Sequence, residues 1–306
     1  MLFKPGNIVN KSNLIRVVLW MTGALLSFCM MAISIRALSA HITVFEILSL
    51  RSGSGILMLC AIVLLRPSLR SHLRPRRLWM HLIRNSTHYT GQYMWALALT
   101  LLPLATVFAL EFTMPAWTAL LATFLLAERM TTSRAGVVVL GLLGVLIILR
   151  PGLATFQPAA LLVLCAAFAY AVSMIATKKL TSTESPFAIV FWMNVMQFPM
   201  SLAGSSLDFA THLTSHDILP IAGVAIAGLS SHFCLSNAFS VGEAGVVVPL
   251  DFLRIPLIAL LGWWIYGEPL DVFVFLGAAV IVSGVVWNLR AETLRFRTPI
   301  ASRSTA

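Results

Sequence analysis

The sequence predicts an all-α, polytopic membrane protein whose ten transmembrane helices form two inverted five-helix repeats. Three observations carry this reading. Ten long apolar stretches fill almost the whole of the 306-residue chain. Its Lys and Arg residues gather in alternate gaps between those stretches. The second half of the chain also repeats the first. An apolar run of about 18 residues or more is long enough to cross the ~30 Å hydrocarbon core of a bilayer as a helix. The stretches are 15–36, 44–65, 79–101, 103–126, 134–150, 158–178, 186–206, 217–239, 245–267 and 271–290. The gaps between them are too short to hold a soluble catalytic domain.

Composition agrees. The chain is 59% hydrophobic and only 10% charged, where a soluble domain carries about 25% charged residues. A net charge of +10 would ordinarily raise nucleic acid as a partner. Here the basic residues lie in short loops and at the tail, so they read as topology signals, and the expected surroundings are lipid bilayer. Cys29, Cys60, Cys165 and Cys234 all fall inside apolar stretches without CxxC spacing. Neither a disulfide framework, a metal site nor a cofactor is indicated. The first stretch lacks a small-residue cleavage pattern and reads as a retained span.

The charges set the orientation. With the N-terminus inside, 16 of the 21 Lys and Arg residues fall on the inner side, and the run Arg66 to Arg77 makes the most basic loop. Two fall outside, Arg36 and Arg150, and three lie within spans, Arg51, Arg84 and Arg254. The positive-inside rule asks for this asymmetry, so both termini are expected to be cytoplasmic. The basic loop could alternatively be a lipid-binding patch; topology is the simpler account.

A shift of 140 residues lays the third, fourth and fifth spans on the eighth, ninth and tenth. Ala98 then meets Ala238, Phe112 meets Phe252, Glu128 meets Glu268, Gly144 meets Gly284 and Arg150 meets Arg290; Glu111 meets Asp251. A shift of 142 lays Arg36 to Phe45 on Lys178 to Phe187. Apolar matches between membrane segments are cheap, but the acidic ones are not. Five spans is an odd number, so the second copy crosses the membrane in the opposite sense. Inverted repeats around a midplane site are a recurring transporter architecture. The expected domains are 14–150, 158–290 and a cytoplasmic basic tail, 291–306.

The repeat unit resembles the EamA-type domain of the drug/metabolite transporter superfamily. The resembling segments are 98–128, 136–152 and 238–270, with the arginines in FEILSLRSG (45–53) and HLIRNSTHYTG (81–91). Glu128 and Glu268, closing the fourth and ninth spans, are the most characteristic feature. The resemblance covers about residues 14–290 and looks most like the ten-span branch. That branch includes S-adenosylmethionine uptake carriers, riboflavin carriers and metabolite or amino-acid exporters. It implies a multi-pass protein of the bacterial inner membrane. It also implies a central cavity lined mainly by the first, third, fourth, sixth, eighth and ninth spans.

Charges inside spans usually face a cavity or a partner. Glu111 lies roughly 12 Å below the outer face at 1.5 Å per residue, and Asp251 lies at a similar depth from the inner face. The two carboxylates are expected to line the two halves of one pathway, where either could carry a proton. Alternatively, Asp251 and Arg254 are i,i+3 neighbours and could neutralise each other. Glu111 has no partner in its own helix but could pair with Arg51 or Arg84. Pro249 and Pro256 flank the Asp251–Arg254 pair and either break the helix at a substrate site or kink it harmlessly.

Arg84, His88, Gln92 and Trp95 share one face of the third span, which should turn inward. Trp95 and Tyr89 either stack on a flat or cationic ligand or simply pack. His232 and Asn237 in the eighth span read as satisfied core residues or as polar relays. Small residues line the first span at Gly23 and Ser27 and the sixth at Ala166 and Ser173. Helix packing explains these faces, which leaves Trp20 and Tyr170 as possible cavity aromatics. Trp263, Trp264 and Tyr266 read as an interfacial belt. Glu128 and Glu268 read as structural anchors.

The expected activity is transport of a small organic molecule. No GxSxG, HExxH or Walker motif is present, and Ser231 and His232 point about 100° apart on a helix, poor geometry for a catalytic dyad. Nothing resembles a channel selectivity filter. Acidic Glu111 and Asp251 suit a cationic or zwitterionic substrate. This favours an amino-acid-like or S-adenosylmethionine-like compound, with riboflavin or a drug as the alternative. For the topology, green fluorescent protein fused after Leu73 should fluoresce and alkaline phosphatase fused there should be inactive. The reverse pattern would overturn the orientation.

Overall fold

The computed structural model describes residues 11–125, 130–150, 157–206, 208–241, 247 and 250–297. Most of these residues are helical, and none forms a strand. The helices are α1 (Lys11–Leu38), α2 (Val44–Leu65), α3 (Leu78–Leu101), α4 (Leu104–Glu111), α5 (Met114–Leu125), α6 (Thr132–Leu149), α7 (Ala160–Leu180), α8 (Pro186–Leu202), α9 (Ile218–Val241), α10 (Arg254–Tyr266) and α11 (Val272–Arg297). Seven helical stretches are long and apolar enough to cross a membrane, with α4 and α5 together making one of them; α8 and α10 are shorter apolar helices. The outer surface suits lipid: Leu57, Leu65, Phe124 and Leu219 are each at least 73% exposed.

Two expectations shift. The stretch 103–126 holds two helices rather than one, because the chain breaks at Phe112 and Thr113 just ahead of Pro115. Proline removes a backbone donor and crowds the carbonyl four residues back. The last helix runs on to Arg297, past the expected end at 290, so the tail begins as helix. Glu128, Pro249 and the tail beyond Arg297 lie outside the described residues.

Small residues set the helix pairings. Between α1 and α9, Ser27 and Ser230 hydroxyls lie 2.9 Å apart, and a Cβ on Gly23 would stand 3.0 Å from the Cys234 sulfur. Between α3 and α7, a Cβ on Gly91 would stand 3.1 Å from the Ala166 carbonyl oxygen and from the Tyr170 ring. Gly144 and Gly277 bring α6 and α11 together, each aimed at the other's carbonyl at 2.6 Å from where a Cβ would sit. α2 pairs with α8. In lipid, helix association rests on such close packing, because the tails are as apolar as the side chains.

One polar clamp ties four helix ends. Arg36, at the end of α1, donates to Glu268 Oε1 at 2.7 Å and to the carbonyls of Leu99 and Leu102 at the end of α3. Glu268 Oε2 accepts from the Leu104 N–H, the first of α4, at 2.8 Å. Helix ends leave carbonyls and amides unsatisfied, and one ion pair here serves both kinds. Gly267 makes the turn possible: its φ of 65° is left-handed and ends α10, bringing Glu268 back over Gly262. Arg150, the second arginine that the sequence assigns to the outer face, pairs with Asp271. Both cations assigned to the outer face are thus matched by carboxylates.

Arg36→Met should cost about 3 kcal/mol by leaving Glu268 partly buried and unpaired, read as a fall in Tm in detergent. Gly277→Val should also lower Tm, since its side chain would meet backbone; Gly267→Ala should cost about 1–2 kcal/mol through its left-handed φ alone.

Candidate functional site

The polar stripe of α3 turns into the bundle. Arg84, Gln92 and Trp95 are buried and His88 is half-buried. Tertiary partners hold them. Arg84 Nη1 donates to Asn85 Oδ1 at 2.7 Å and Nε to Thr177 Oγ1 at 3.3 Å. His88 Nδ1 lies 2.9 Å from Gln197 Nε2, and its ring sits 5.4 Å from that of Tyr170. Asn85 also donates to the Trp192 carbonyl, anchoring α3 to α8. Asn194, Gln197 and Ser201 are buried on α8. This second polar face went unread in the sequence, although its i, i+3, i+7 spacing signals it.

Glu111 ends α4 and accepts from Trp95 Nε1 at 2.8 Å. Among the described residues it forms no ion pair with Arg51 or Arg84; the indole takes that place. Trp95 is only 4% exposed and packs edge-on to Phe108. Its ring is therefore not open for stacking in this conformation, and Tyr89 is buried as well. Asp251 does pair with Arg254, at 2.9 Å. The Arg254 guanidinium also lies over Phe28 at 4.2 Å and Phe112 at 4.8 Å, a cation–π box. The helix breaks for two residues after Asp251, as it does after Glu111, and the Phe112 and Phe252 rings meet 4.5 Å apart.

His232 is exposed, although its ring lies edge-on to the buried Phe28, 5.8 Å away. It lies within Coulombic reach of Arg51, Arg84 and Arg254, and Tyr170 within reach of both Glu111 and Arg51. These side chains share one electrostatic neighbourhood reached from α2, α3, α4, α7, α9 and α10. Two expected members stand apart. Asn237 donates to the Phe233 carbonyl of its own helix, and Trp20 packs edge-on to Phe233 along the α1–α9 seam. An apolar lateral groove of about 510 Å3 between α3, α5 and α7, lined by Met94, Trp117 and Phe168 among others, holds none of the charges.

A lipid-faced helical bundle that collects charge in its interior has the make-up of a membrane transporter. The EamA-like transporter family profile matches residues 15–150 and again 157–290. A riboflavin transporter of Rhizobium johnstonii is 31% identical over 72% of this chain and 73% of its own, and one of Brucella anthropi 30% over 79% and 87%. An S-adenosylmethionine uptake transporter of Rickettsia prowazekii is 26% identical over 73% of this chain and 76% of its own. One solved crystal structure shares the fold, with a TM-score of 0.59 over 92% of this chain and 99% of its own at 17% identity. The chain belongs to the EamA-like transporter family.

Asp251→Asn should cost about 3–5 kcal/mol, since it strands Arg254 in an apolar box. Adding Arg254→Met should recover most of that loss. A double-mutant cycle on Tm in detergent checks the coupling; additive losses would show the pair to be uncoupled.

Proposed function

We propose that the protein is a secondary carrier of a small organic metabolite, working by alternating access in a bacterial inner membrane. Ten spans in two inverted five-helix halves, with both termini cytoplasmic, form its frame. The carrying observation is the pair of repeat-related helix breaks, one after Glu111 and one after Asp251, meeting through Phe112 and Phe252. Interrupted helices at the junction of repeats mark substrate sites in transporters, because freed backbone groups can face a ligand only where they line a cavity. The helix pairings support the inverted halves: exchanging the halves turns α1–α9 into α7–α3 and returns α2–α8 and α6–α11 to themselves. The clamp through Arg36 and Glu268, assigned to the outer face, fits a conformer closed to the outside.

Glu111, Trp95, Arg84, His88, Gln92, Tyr170, Arg51, His232 and the Asp251–Arg254 pair are the substrate or coupling residues in this reading, and Trp20 and Asn237 leave it. The substrate is amino-acid-like, in keeping with the S-adenosylmethionine relatives. Riboflavin is the second reading, favoured by relatives at 30% and 31% identity. Transport runs by exchange or by proton coupling through Glu111. In proteoliposomes, labelled S-adenosylmethionine or riboflavin should show saturable counterflow, stimulated by the same compound on the far side. Glu111→Gln and Trp95→Phe should each cut it about tenfold, a 1.4 kcal/mol effect. Flux that rises linearly with concentration would exclude a carrier.

A further inference from the structure

Two buried arginines lack a counter-charge among the described residues. Arg51 of α2 is 4% exposed and Arg84 of α3 is 8% exposed. Arg51 Nε and Nη1 find no hydrogen-bond partner among the described residues. Its guanidinium lies against α9 at Gly228, where a Cβ would stand 3.0 Å from Nε. Arg84 bonds only neutral oxygens, those of Asn85 and Thr177. The buried and half-buried carboxylates among the described residues are committed elsewhere: Glu111 to Trp95, Asp251 to Arg254, Glu268 to Arg36, Asp271 to Arg150, Glu46 to the α2 cap and Ser206, Glu184 to the backbone of Arg76 and Arg77, and Asp217 to Thr214. The two guanidiniums lie within Coulombic reach of each other. Neighbouring like charges inside a membrane protein are costly, and proteins retain such charges where they meet a ligand or partner.

The missing partner is an anion. A guanidinium presents a planar fork that matches an oxyanion in bidentate fashion. Glu111 and Arg51 both lie within Coulombic reach of Tyr170, and a carboxylate on that side selects among oxyanions. A phosphate dianion would bring excess negative charge beside it, whereas a carboxylate in a zwitterion brings a cation as well. We propose that Arg51 and Arg84 together dock the carboxylate of the transported molecule, with its cationic group toward Glu111. This rests on the carrier reading above and narrows it to zwitterionic, amino-acid-type substrates over neutral flavins.

The test uses the purified full-length protein with sodium acetate, inorganic phosphate and sodium chloride at matched ionic strength. Acetate should raise the wild-type Tm above the chloride control by about 2–4 °C, equivalent to roughly 1 kcal/mol for a chain of this size. The rise should vanish in Arg51→Gln and Arg84→Gln and persist in part in Arg51→Lys. Without acetate, Arg51→Gln should melt higher than wild type, because it removes an uncompensated buried charge. No acetate effect on the wild type, an equal effect on the variants, or a larger effect of phosphate would each overturn the inference; the first and last need no variant to fold. Counterflow in proteoliposomes reports on the carrier reading separately. Acetate stabilisation without counterflow would sink the carrier and keep the anion site. Counterflow of riboflavin unchanged in Arg51→Gln would do the opposite.

Discussion

A polar group without a partner is expensive in hydrocarbon, and the described structure is organised by that constraint. Backbone groups meet it by forming helices throughout. Hydroxyls meet it by returning to their own helix, as Thr22 does to the Val18 carbonyl and Thr123 to that of Ala119. Helix ends meet it through tertiary contacts, and the Arg36–Glu268 pair satisfies the end of α3 and the start of α4 in one cluster. The same rule makes exceptions informative. Arg51 is one such exception: a fully charged side chain, buried, with Nε and Nη1 unpartnered among the described residues.

How much of this was legible in the sequence follows from how local each signal is. Apolar run length is local, and nearly every expected stretch holds a helix. The anchoring role of Glu268 was also legible, from the repeat and its place at a span end. Its partner was not, because Arg36 lies 232 residues away and nothing local pairs them. The helix break after Glu111 was missed although Pro115 stands beside it, while the more crowded prolines around Asp251 drew attention to the other half. Pairing Glu111 with an arginine failed for a reason only geometry reveals: Trp95, sixteen residues earlier, folds back across the α3–α4 turn and reaches it first.

The helix pairings exchange between the two halves, but the charged residues inside them do not. Under the 140-residue shift, Glu111 corresponds to Asp251, but Trp95 corresponds to Leu235 and Met114 to Arg254. The two carboxylates therefore live differently. Asp251 is neutralised by the arginine one turn on, and that arginine is boxed by phenylalanines. Among the described residues Glu111 accepts a hydrogen bond from a neutral indole and lies within Coulombic reach of Arg254. The two carboxylates expected along one pathway thus have different surroundings, an ion pair at Asp251 and an indole hydrogen bond at Glu111.

The cationic pole is equally one-sided. Arg84, His88 and Gln92 correspond to Val224, Gly228 and His232, and Arg51 to Met193 under the 142-residue shift. Gly228 gains a role from this comparison. At the position repeating His88 it carries no side chain, and the Arg51 guanidinium lies in the space left free. A symmetric frame offers two conformations of comparable energy, which alternating access requires. A substrate with distinct ends needs the opposite, a site whose two poles differ in sign. In this chain the charged and polar positions of α2, α3 and α9 differ between the halves, while the helices that carry them still pair in exchanged fashion.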